Sequence, residues 1–241
     1  MQGAQPIILI TRPEPGASRL TQALGVRCPQ ARVLQSPVMR IRYMDAPVEI
    51  GDRAVILTSQ NAVHWVAQTG AVPVGTLAYC VGARTTARAR ELGLVAHQMG
   101  DSAGELLARL TDTPPPARLI HLRGAHSRGD IAATLTRAGL PCAEHVVYAQ
   151  DPVPLTQAAQ SAFQDQTPVI LPLYSPRSAA LLAGAARAAR APIYTVAISS
   201  AADTAWTVPQ TRARHVAKRP SADCMLDTIV AVFDAVQNLE G

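Results

Sequence analysis

The sequence predicts an α/β protein whose parallel sheets are covered by helices. Short apolar runs rich in β-branched residues alternate with segments of helical periodicity, which is typical of parallel strands joined by crossover helices. Residues 55–63 comprise a strand, a polar turn and the N-terminus of a helix. The same unit recurs at residues 169–179. The alternation and the recurrence together predict two similar sheets built from one duplicated unit.

The composition fits a globular protein and narrows the functions to consider. Of the 241 residues, 48% are hydrophobic and 16% are charged, which suffices for a packed core and argues against disorder. Aromatic residues make up only 4%, which is poor for stacking on nucleic acid, so we expect no nucleic-acid partner. The net charge of +5 fits either a basic, arginine-rich proteome or a cleft that attracts a polyanion.

We expect a cytoplasmic protein, because the sequence shows no targeting signal and no membrane span. No apolar stretch approaches the roughly 20 residues of a membrane span, and the N-terminus lacks a basic signal segment. The four cysteines form no CxxC pair, as expected for reduced thiols in a cytoplasmic protein. The six histidines show no metal-ligand spacing and no nucleotide-binding motif is present. We therefore expect neither a metal nor a cofactor.

The first half of the chain lays out the unit in order. A strand at residues 6–10 precedes Arg12, and the following helix is expected to stop at Gly25. Residues 31–43 alternate as an extended segment, in which Pro37 indicates an edge or an exposed ribbon. The remaining elements are the turn unit at 55–63, strands at 77–82 and 94–98, and a helix that Ser102 begins and residues 114–116 end.

The second half repeats this order. A strand at residues 118–124 carries Arg123 where the first strand has Arg12, and a second extended segment follows at 144–150. The offset between equivalent positions drifts from 111 (123 − 12) to 119 (221 − 102, both serines). Small loop changes within one duplicated unit explain such a drift.

The turns after the strands carry the candidate chemistry. Ligands of parallel α/β sheets bind at the carboxyl ends of the strands, where helix N-termini offer free backbone N–H groups to anions. Arg12 and Arg123 end equivalent strands, and a guanidinium suits a carboxylate, although a surface arginine is the simpler alternative. Tyr148 lies in the second extended segment, where it serves either packing or chemistry.

Residues 100–104 match the GxSxG pattern of a serine-hydrolase nucleophile, and Asp203 and His215 follow in hydrolase order. The alternative role of Ser102 is a helix N-cap. The equivalent Ser221 lacks both glycines but holds the same place, which favours the cap. The preceding strand does not look like a buried central strand, so a hydrolase stays a minor alternative.

Seven short motifs, taken jointly, resemble those of uroporphyrinogen-III synthase. They span nearly the whole chain in the order of that family, at residues 11–13, 57–63, 81–85, 122–124, 147–148, 174–176 and 197–199. The resemblance implies two α/β domains joined by a two-stranded ribbon. The first would combine residues 1–35 with 152–241, the second would span 44–143, and the ribbon would comprise 36–43 and 144–151.

The resemblance also implies an activity. The family closes hydroxymethylbilane, a linear tetrapyrrole polycarboxylate, into uroporphyrinogen III with inversion of ring D in haem biosynthesis, as a lyase without cofactor or metal. For this chain it implies a small-molecule substrate and a monomer, with Tyr148 assisting the departure of hydroxide. The substrate-binding candidates are Arg12, Thr58, Ser59, Asn61, Thr85, Arg123, Gly124, Ser175, Pro176 and Ser199.

One position departs from the family pattern. The threonine that the family carries after the last of these motifs falls on Ala202 here, so any hydrogen bond from it is lost or moved to Thr204. This departure supports the alternative of a non-catalytic two-domain α/β protein that binds a small polyanion.

Overall fold

The computed structural model describes residues 5–45, 47–126 and 129–240, which form two compact units. Unit 1 comprises the described residues up to Arg40 and from Pro152 onwards, and unit 2 runs from Ile41 to Asp151. The elements are β1 (Ile7–Ile10), α1 (Gly16–Arg27), β2 (Arg32–Gln35), β3 (Met39–Tyr43), β4 (Ala54–Leu57), α2 (Gln60–Thr69), β5 (Leu77–Cys80), α3 (Ala83–Glu91), β6 (Val95–Gln98), α4 (Ala103–Asp112), β7 (Leu119–Gly124), α5 (Ile131–Arg137), β8 (Cys142–Pro152), α6 (Gln157–Gln164), β9 (Val169–Leu173), α7 (Pro176–Ala186), β10 (Ile193–Ala197), α8 (Ser200–Thr204), β11 (Ala213–Val216) and α9 (Ala222–Glu240).

Unit 1 is built on a parallel sheet of order β11–β10–β9–β1–β2. All four residues of β1 are buried, because helices cover both faces of the sheet. Leu9 and Leu171 pack on one face with α6 and α7, and Ile8 and Ile170 pack on the other with α1 and α9. The continuous apolar run at the start of the chain is therefore a central strand.

Unit 2 contains a sheet of order β3–β8–β7–β4–β5–β6. The strands from β8 to β6 are parallel. β3 lies antiparallel to β8, since Met44 N donates to Val147 O at 2.9 Å while Val38 O accepts from Val153 N at 3.0 Å. The chain passes from one unit to the other within β3 and again at the end of β8. That this pair acts as a linker ribbon stays a prediction, as do the domain boundaries.

The five parallel strands follow the same order in both sheets. β2, β1, β9, β10 and β11 of unit 1 correspond to β8, β7, β4, β5 and β6 of unit 2. Each sheet therefore takes two strands from one half of the chain and three from the other. The predicted α/β class with mostly parallel sheets is confirmed.

One local prediction needs correction, and one strand was not predicted at all. Helix α1 does not stop at Gly25 but continues to Arg27. Pro29 ends it, because a proline forces the preceding residue out of the helical region, and Cys28 has an extended φ of −145°. Sequence reasoning also missed β11, an edge strand whose residues are only half-buried or exposed.

Ser102 is a helix N-cap. Its Oγ accepts a hydrogen bond from Glu105 N at 3.2 Å and donates to Glu105 Oε1 at 2.9 Å. Glu105 Oε2 accepts from Asp101 N at 3.3 Å, so the glutamate reaches back over the start of the helix in a variant of the capping box. Ser221 Oγ likewise accepts from Cys224 N at 3.3 Å at the start of α9. Asp203, the candidate acid of a hydrolase, is paired with Arg214 at 2.9 Å. The GxSxG pattern is thus explained by capping.

Replacing Ser102 tests this assignment. Ser102→Ala should lower the free energy of unfolding by about 0.5–2 kcal/mol, because the first turn of α4 loses its side-chain acceptor. Ser102→Thr, whose hydroxyl can still accept from Glu105 N and donate to Glu105 Oε1, is the matched control and should stay close to wild type in urea titrations. An esterase activity that Ser102→Ala abolishes without any change in unfolding would contradict the cap and support the hydrolase.

Candidate functional site

Each sheet has one position where the strand order reverses, and ligands of this kind of fold bind at the carboxyl ends of the strands there. In unit 1 the reversal lies between β1 and β9, whose following helices α1 and α7 pack on opposite faces. In unit 2 it lies between β7 and β4, followed by α5 and α2 on opposite faces. We call these two places the unit 1 crevice and the unit 2 crevice.

The unit 1 crevice combines Arg12 with the turn after β9. The Arg12 guanidinium carbon lies 4.0 Å from the centre of the Tyr174 ring, a cation–π contact that reaches from β1 to β9. Ser175 caps α7 by accepting from Ser178 N at 3.1 Å, and Pro176 fills the first turn, where no N–H is needed. Arg12, Ser175 and Pro176, all predicted from the sequence, therefore lie at one crevice.

The next turn of unit 1 follows β10. Because Leu173 pairs with Ala197, this turn lies beside the one that carries Ser175. Ser199 caps α8 by accepting from Ala202 N at 3.4 Å. Ala202, where the family has threonine, is fully buried in the core, and Thr204 is exposed. The backbone of this turn keeps its cap although the threonine hydroxyl is missing.

The unit 2 crevice brings together the turn after β4 and the end of β7. Ser59 Oγ accepts from Asn61 N at 3.2 Å and caps α2. Thr58 Oγ1 lies 3.2 Å from Nε2 of His121, a buried residue of β7. Arg123 and Gly124 close the same edge of the sheet, since Leu57 pairs with Leu122. Thr58, Ser59, Asn61, Arg123 and Gly124 are thus neighbours, as the sequence predicted of strand-end residues.

Arg123 holds a carboxylate of its own chain. Its Nη2 lies 2.6 Å from Oε1 of Glu144 on the neighbouring strand, with side chains 20% and 40% exposed. The hydrogen bond with Glu144 raises the pKa of Arg123 and lowers that of Glu144. Sequence reasoning assigned Arg123 to a ligand carboxylate and did not single out Glu144, because the pair depends on the register of β7 and β8.

Tyr148 lies against the backbone of Gly124. A Cβ at Gly124 would be 2.7 Å from Cε2 and Cζ of the ring, closer than packed atoms approach, so only glycine leaves room for it. The register of β7 and β8 shifts between Arg123 and Gly124, and Ala125 N donates to Tyr148 O at 2.8 Å. Tyr148 is buried, with 7% of its surface exposed. Gly124 therefore determines where the Tyr148 ring lies.

Thr85 does not lie in the loop between β5 and α3. It belongs to the first turn of α3, after Gly82 with its left-handed φ of +80°, and only 5% of it is exposed. The adjacent Thr86 Oγ1 donates to Gly82 O at 3.0 Å. Binding of a ligand by the Thr85 side chain stays a prediction.

His121 is a feature of the unit 2 crevice that sequence reasoning missed. It is 1% exposed, and burial, followed by the nearby Arg123 charge, lowers its pKa to about 4, while Glu144 acts in the opposite direction. The imidazole is therefore neutral at physiological pH. The available signal was a histidine within the apolar run of residues 119–122. A polar side chain in a buried strand is uncommon and often indicates a structural or functional role.

The arrangement suits an anionic ligand. The helices α2 and α7 begin at the crevices, and the N-terminus of a helix of this length offers free N–H groups and a partial positive charge.

Within the described ranges, no group of three or more histidine, cysteine, aspartate or glutamate side chains could hold a metal ion. No helix among the described residues is long and apolar enough to cross a membrane.

The fold and the crevices define a class: an α/β protein with two flavodoxin-like sheets whose strand-order reversals suit carboxylates. The family model of uroporphyrinogen-III synthase HemD matches residues 19–227. The chain belongs to the uroporphyrinogen-III synthase family. No curated protein sequence matches it in a direct comparison.

Solved structures agree on the fold. The chain superimposes on the uroporphyrinogen-III synthetase of Helicobacter pylori with a TM-score of 0.67 and 16% identity, covering 95% of this chain and 99% of the other. A mutant uroporphyrinogen III synthase of the extremely thermophilic bacterium Thermus thermophilus gives a TM-score of 0.55 and 14% identity, covering 98% and 100%. At these identities the likeness concerns the fold.

Gly124→Ala tests the close approach of Tyr148. The added methyl group must displace a buried ring, so we expect a loss of about 1–3 kcal/mol in the free energy of unfolding. Gly184→Ala is the control, because a methyl group there meets nothing within 4 Å inside helix α7. It should be neutral or stabilise by about 0.5–1 kcal/mol in chemical denaturation. Equal effects of both changes would show that Tyr148 does not depend on Gly124.

The buried His121 predicts a pH dependence of stability. Its pKa in the folded state, about 4, lies below the usual 6.5, so the unfolded chain binds more protons between these values. Stability from neutral His121 is therefore present above pH 6.5 and is lost as the pH falls towards 4. Because one pKa unit corresponds to about 1.4 kcal/mol, the loss is on the order of 3 kcal/mol.

Urea titrations between pH 7 and pH 4 measure this loss. His121→Gln should flatten the dependence relative to wild type. His97→Gln, which removes an exposed histidine of β6, is the control and should keep the wild-type slope. An unchanged slope in His121→Gln would mean that the pKa of His121 does not differ between the folded and the unfolded protein, and the prediction would be wrong.

Proposed function

We propose that this chain is a cytoplasmic, monomeric lyase that cyclises hydroxymethylbilane to uroporphyrinogen III with inversion of ring D. The observation that carries the proposal is the family match over residues 19–227. Two crevices lined by helix N-termini, hydroxyl groups and arginine, which suit the carboxylates of such a substrate, support it.

The proposed role of the turns is to bind and orient the bilane. Carboxylate arms of the substrate would accept hydrogen bonds at the turns that begin α2, α7 and α8 and from Arg12. Arg123 would bind an arm only by sharing its guanidinium with Glu144 or by exchanging Glu144 for the substrate. Many weak contacts of this kind restrict a flexible chain to one conformation, and orientation alone is worth several kcal/mol in a cyclisation.

The proposed chemistry is loss of hydroxide followed by ring closure. The C–O bond of the hydroxymethyl group breaks, and Tyr148 gives the leaving hydroxide a proton, so that water departs and an electrophilic azafulvene remains. The substituted carbon of ring D then bonds to the azafulvene methylene, and its older bond to the methylene bridge from ring C breaks. That bridge rejoins ring D at the free α-carbon, which loses a proton, so that ring D is inverted and water is the only other product. The azafulvene also closes without an enzyme, to isomer I. The protein must therefore select the conformation that leads to isomer III.

An isomer assay tests the function. Hydroxymethylbilane is incubated with the protein without added metal or nucleotide, the products are oxidised to porphyrins, and isomers I and III are separated. Wild type should give mainly isomer III, and the reaction without protein should give isomer I. If the protein binds the bilane but yields only isomer I at the rate of the blank, the chain is a binding protein and the proposal is wrong.

Tyr148→Phe tests the proton donor. It keeps the ring against Gly124 but removes the phenol, so the rate should fall by about 10- to 100-fold, at or below the usual contribution of a general acid. Some activity should remain because the azafulvene forms unaided, and the fraction of isomer I should rise. Tyr79→Phe, which removes a buried phenol from the other face of the same sheet, is the control. An unchanged rate in Tyr148→Phe would exclude Tyr148 as the donor.

A further inference from the structure

Thr58 and His121 form a polar contact at the edge of an otherwise apolar sheet. Thr58 follows β4, and His121 belongs to the neighbouring β7, where it pairs in register with Ile56. Thr58 Oγ1 and His121 Nε2 are 3.2 Å apart. His121 is 1% exposed and Thr58 is half-buried at the mouth of the unit 2 crevice. The histidine therefore lies beneath the threonine.

The surroundings of the second ring nitrogen indicate the tautomer. Nδ1 of His121 is buried and has no hydrogen-bond partner within residues 5–45, 47–126 and 129–240. A buried N–H without a partner is rarer and less tolerated in proteins than an unpaired acceptor. The proton of the neutral ring is thus better placed on Nε2, where it meets the Thr58 oxygen, and Nδ1 is left with a lone pair.

We propose that His121 is a positioning residue that makes Thr58 a hydrogen-bond donor to a substrate carboxylate. If Nε2–H donates to Oγ1, the hydroxyl hydrogen of Thr58 cannot point at the imidazole and is directed away from the sheet, towards the crevice. The opposite tautomer would accept that hydrogen and leave the threonine unable to donate to a ligand.

The inference rests on the proposed function and adds a residue to its binding site. A carboxylate needs a donor, so fixing the hydroxyl hydrogen before the substrate arrives removes one rotational freedom that binding would otherwise have to restrict. Burial and the nearby Arg123 disfavour the charged imidazolium, which keeps the ring a donor at Nε2 alone. The neighbouring Ser59 oxygen likewise accepts from an N–H, that of Asn61, so its hydroxyl hydrogen is also free to donate.

Two amide variants separate the role of the Nε2 position from mere packing. In His121→Gln the amide nitrogen reaches the place of Nε2 and can donate to Thr58, whereas in His121→Asn it reaches only the place of Nδ1. The KM for hydroxymethylbilane should rise about 3- to 10-fold in His121→Asn, because the Thr58 hydroxyl is no longer held in the donating orientation, and glutamine should restore it to within about twofold. An equal rise in both variants, or none in either, would overturn the proposal.

A double-mutant cycle tests whether His121 acts through Thr58. Thr58→Val keeps the shape of the side chain and removes the hydroxyl, and its KM should rise about tenfold. If His121 acts through that hydroxyl, His121→Asn should add nothing further in the Thr58→Val background. Multiplying effects in the double variant would show that His121 has an independent role, which contradicts the proposal.

Nitrogen-15 NMR of the histidine rings gives a readout that needs no activity. At neutral pH the wild-type His121 signal should show a protonated Nε2 and an unprotonated Nδ1. The reverse pattern would refute the inference even if the protein makes isomer III. Failure of the isomer assay with the expected NMR pattern would instead refute the proposed function and leave the tautomer established.

Discussion

The pairing of β1 with β9 and of β7 with β4 is the interaction on which both units depend. Ile7 pairs with Val169, 162 positions further along the chain (169 − 7), and Ala54 pairs with Leu119. Bringing such distant segments together reduces the conformational entropy of the chain, and local contacts do not offset this loss. The burial of whole strands offsets this cost, since every side chain of β1, β4 and β9 lies in the core. The same two pairings create the crevices.

The two halves of the chain repeat the same order of elements, but they do not form separate sheets. Each half of the chain contains a two-strand piece and a three-strand piece, yet each sheet combines pieces of opposite halves. β1 and β2 would lack the partner strand β9 in an isolated N-terminal half, and β4 would lack β7. The strand order in the two sheets is nevertheless identical, so the exchange keeps both reversals of strand order and the turns beside them.

Local chemistry in the sequence predicted the turns correctly. Ser59, Ser102, Ser175 and Ser199 each cap the helix that follows, because a serine oxygen directly before a helical pattern is a sufficient local signal. The alternation of apolar runs and helices likewise gave the α/β class. Polar contacts between strands were not predictable, because Glu144 meets Arg123, and His121 meets Thr58, only through the register of long-range pairing.

The two crevices belong to units of different net charge, so the long-range attraction of a polyanion would differ between them. All of the net positive charge belongs to unit 1, where residues 1–40 and 152–241 hold 12 Lys and Arg against 7 Asp and Glu, while residues 41–151 hold 10 of each. Under the proposed function, unit 1 would therefore supply the long-range attraction to the substrate; its Arg12 lies over the aromatic ring of Tyr174 at the crevice.

In the proposed function, unit 2 would contribute the directions of hydrogen bonds instead of charge. At its crevice, Arg123 is paired with Glu144 and His121 is neutral. The ring of Tyr148 is held against the backbone of Gly124. Such groups attract a polycarboxylate weakly at a distance but fix the directions of their hydrogen bonds once it is bound. A cyclisation that must choose between two isomers depends on direction more than on affinity, because only interactions that favour one transition state change the product. Under the proposed function, unit 2 would therefore be the one suited to selecting the isomer.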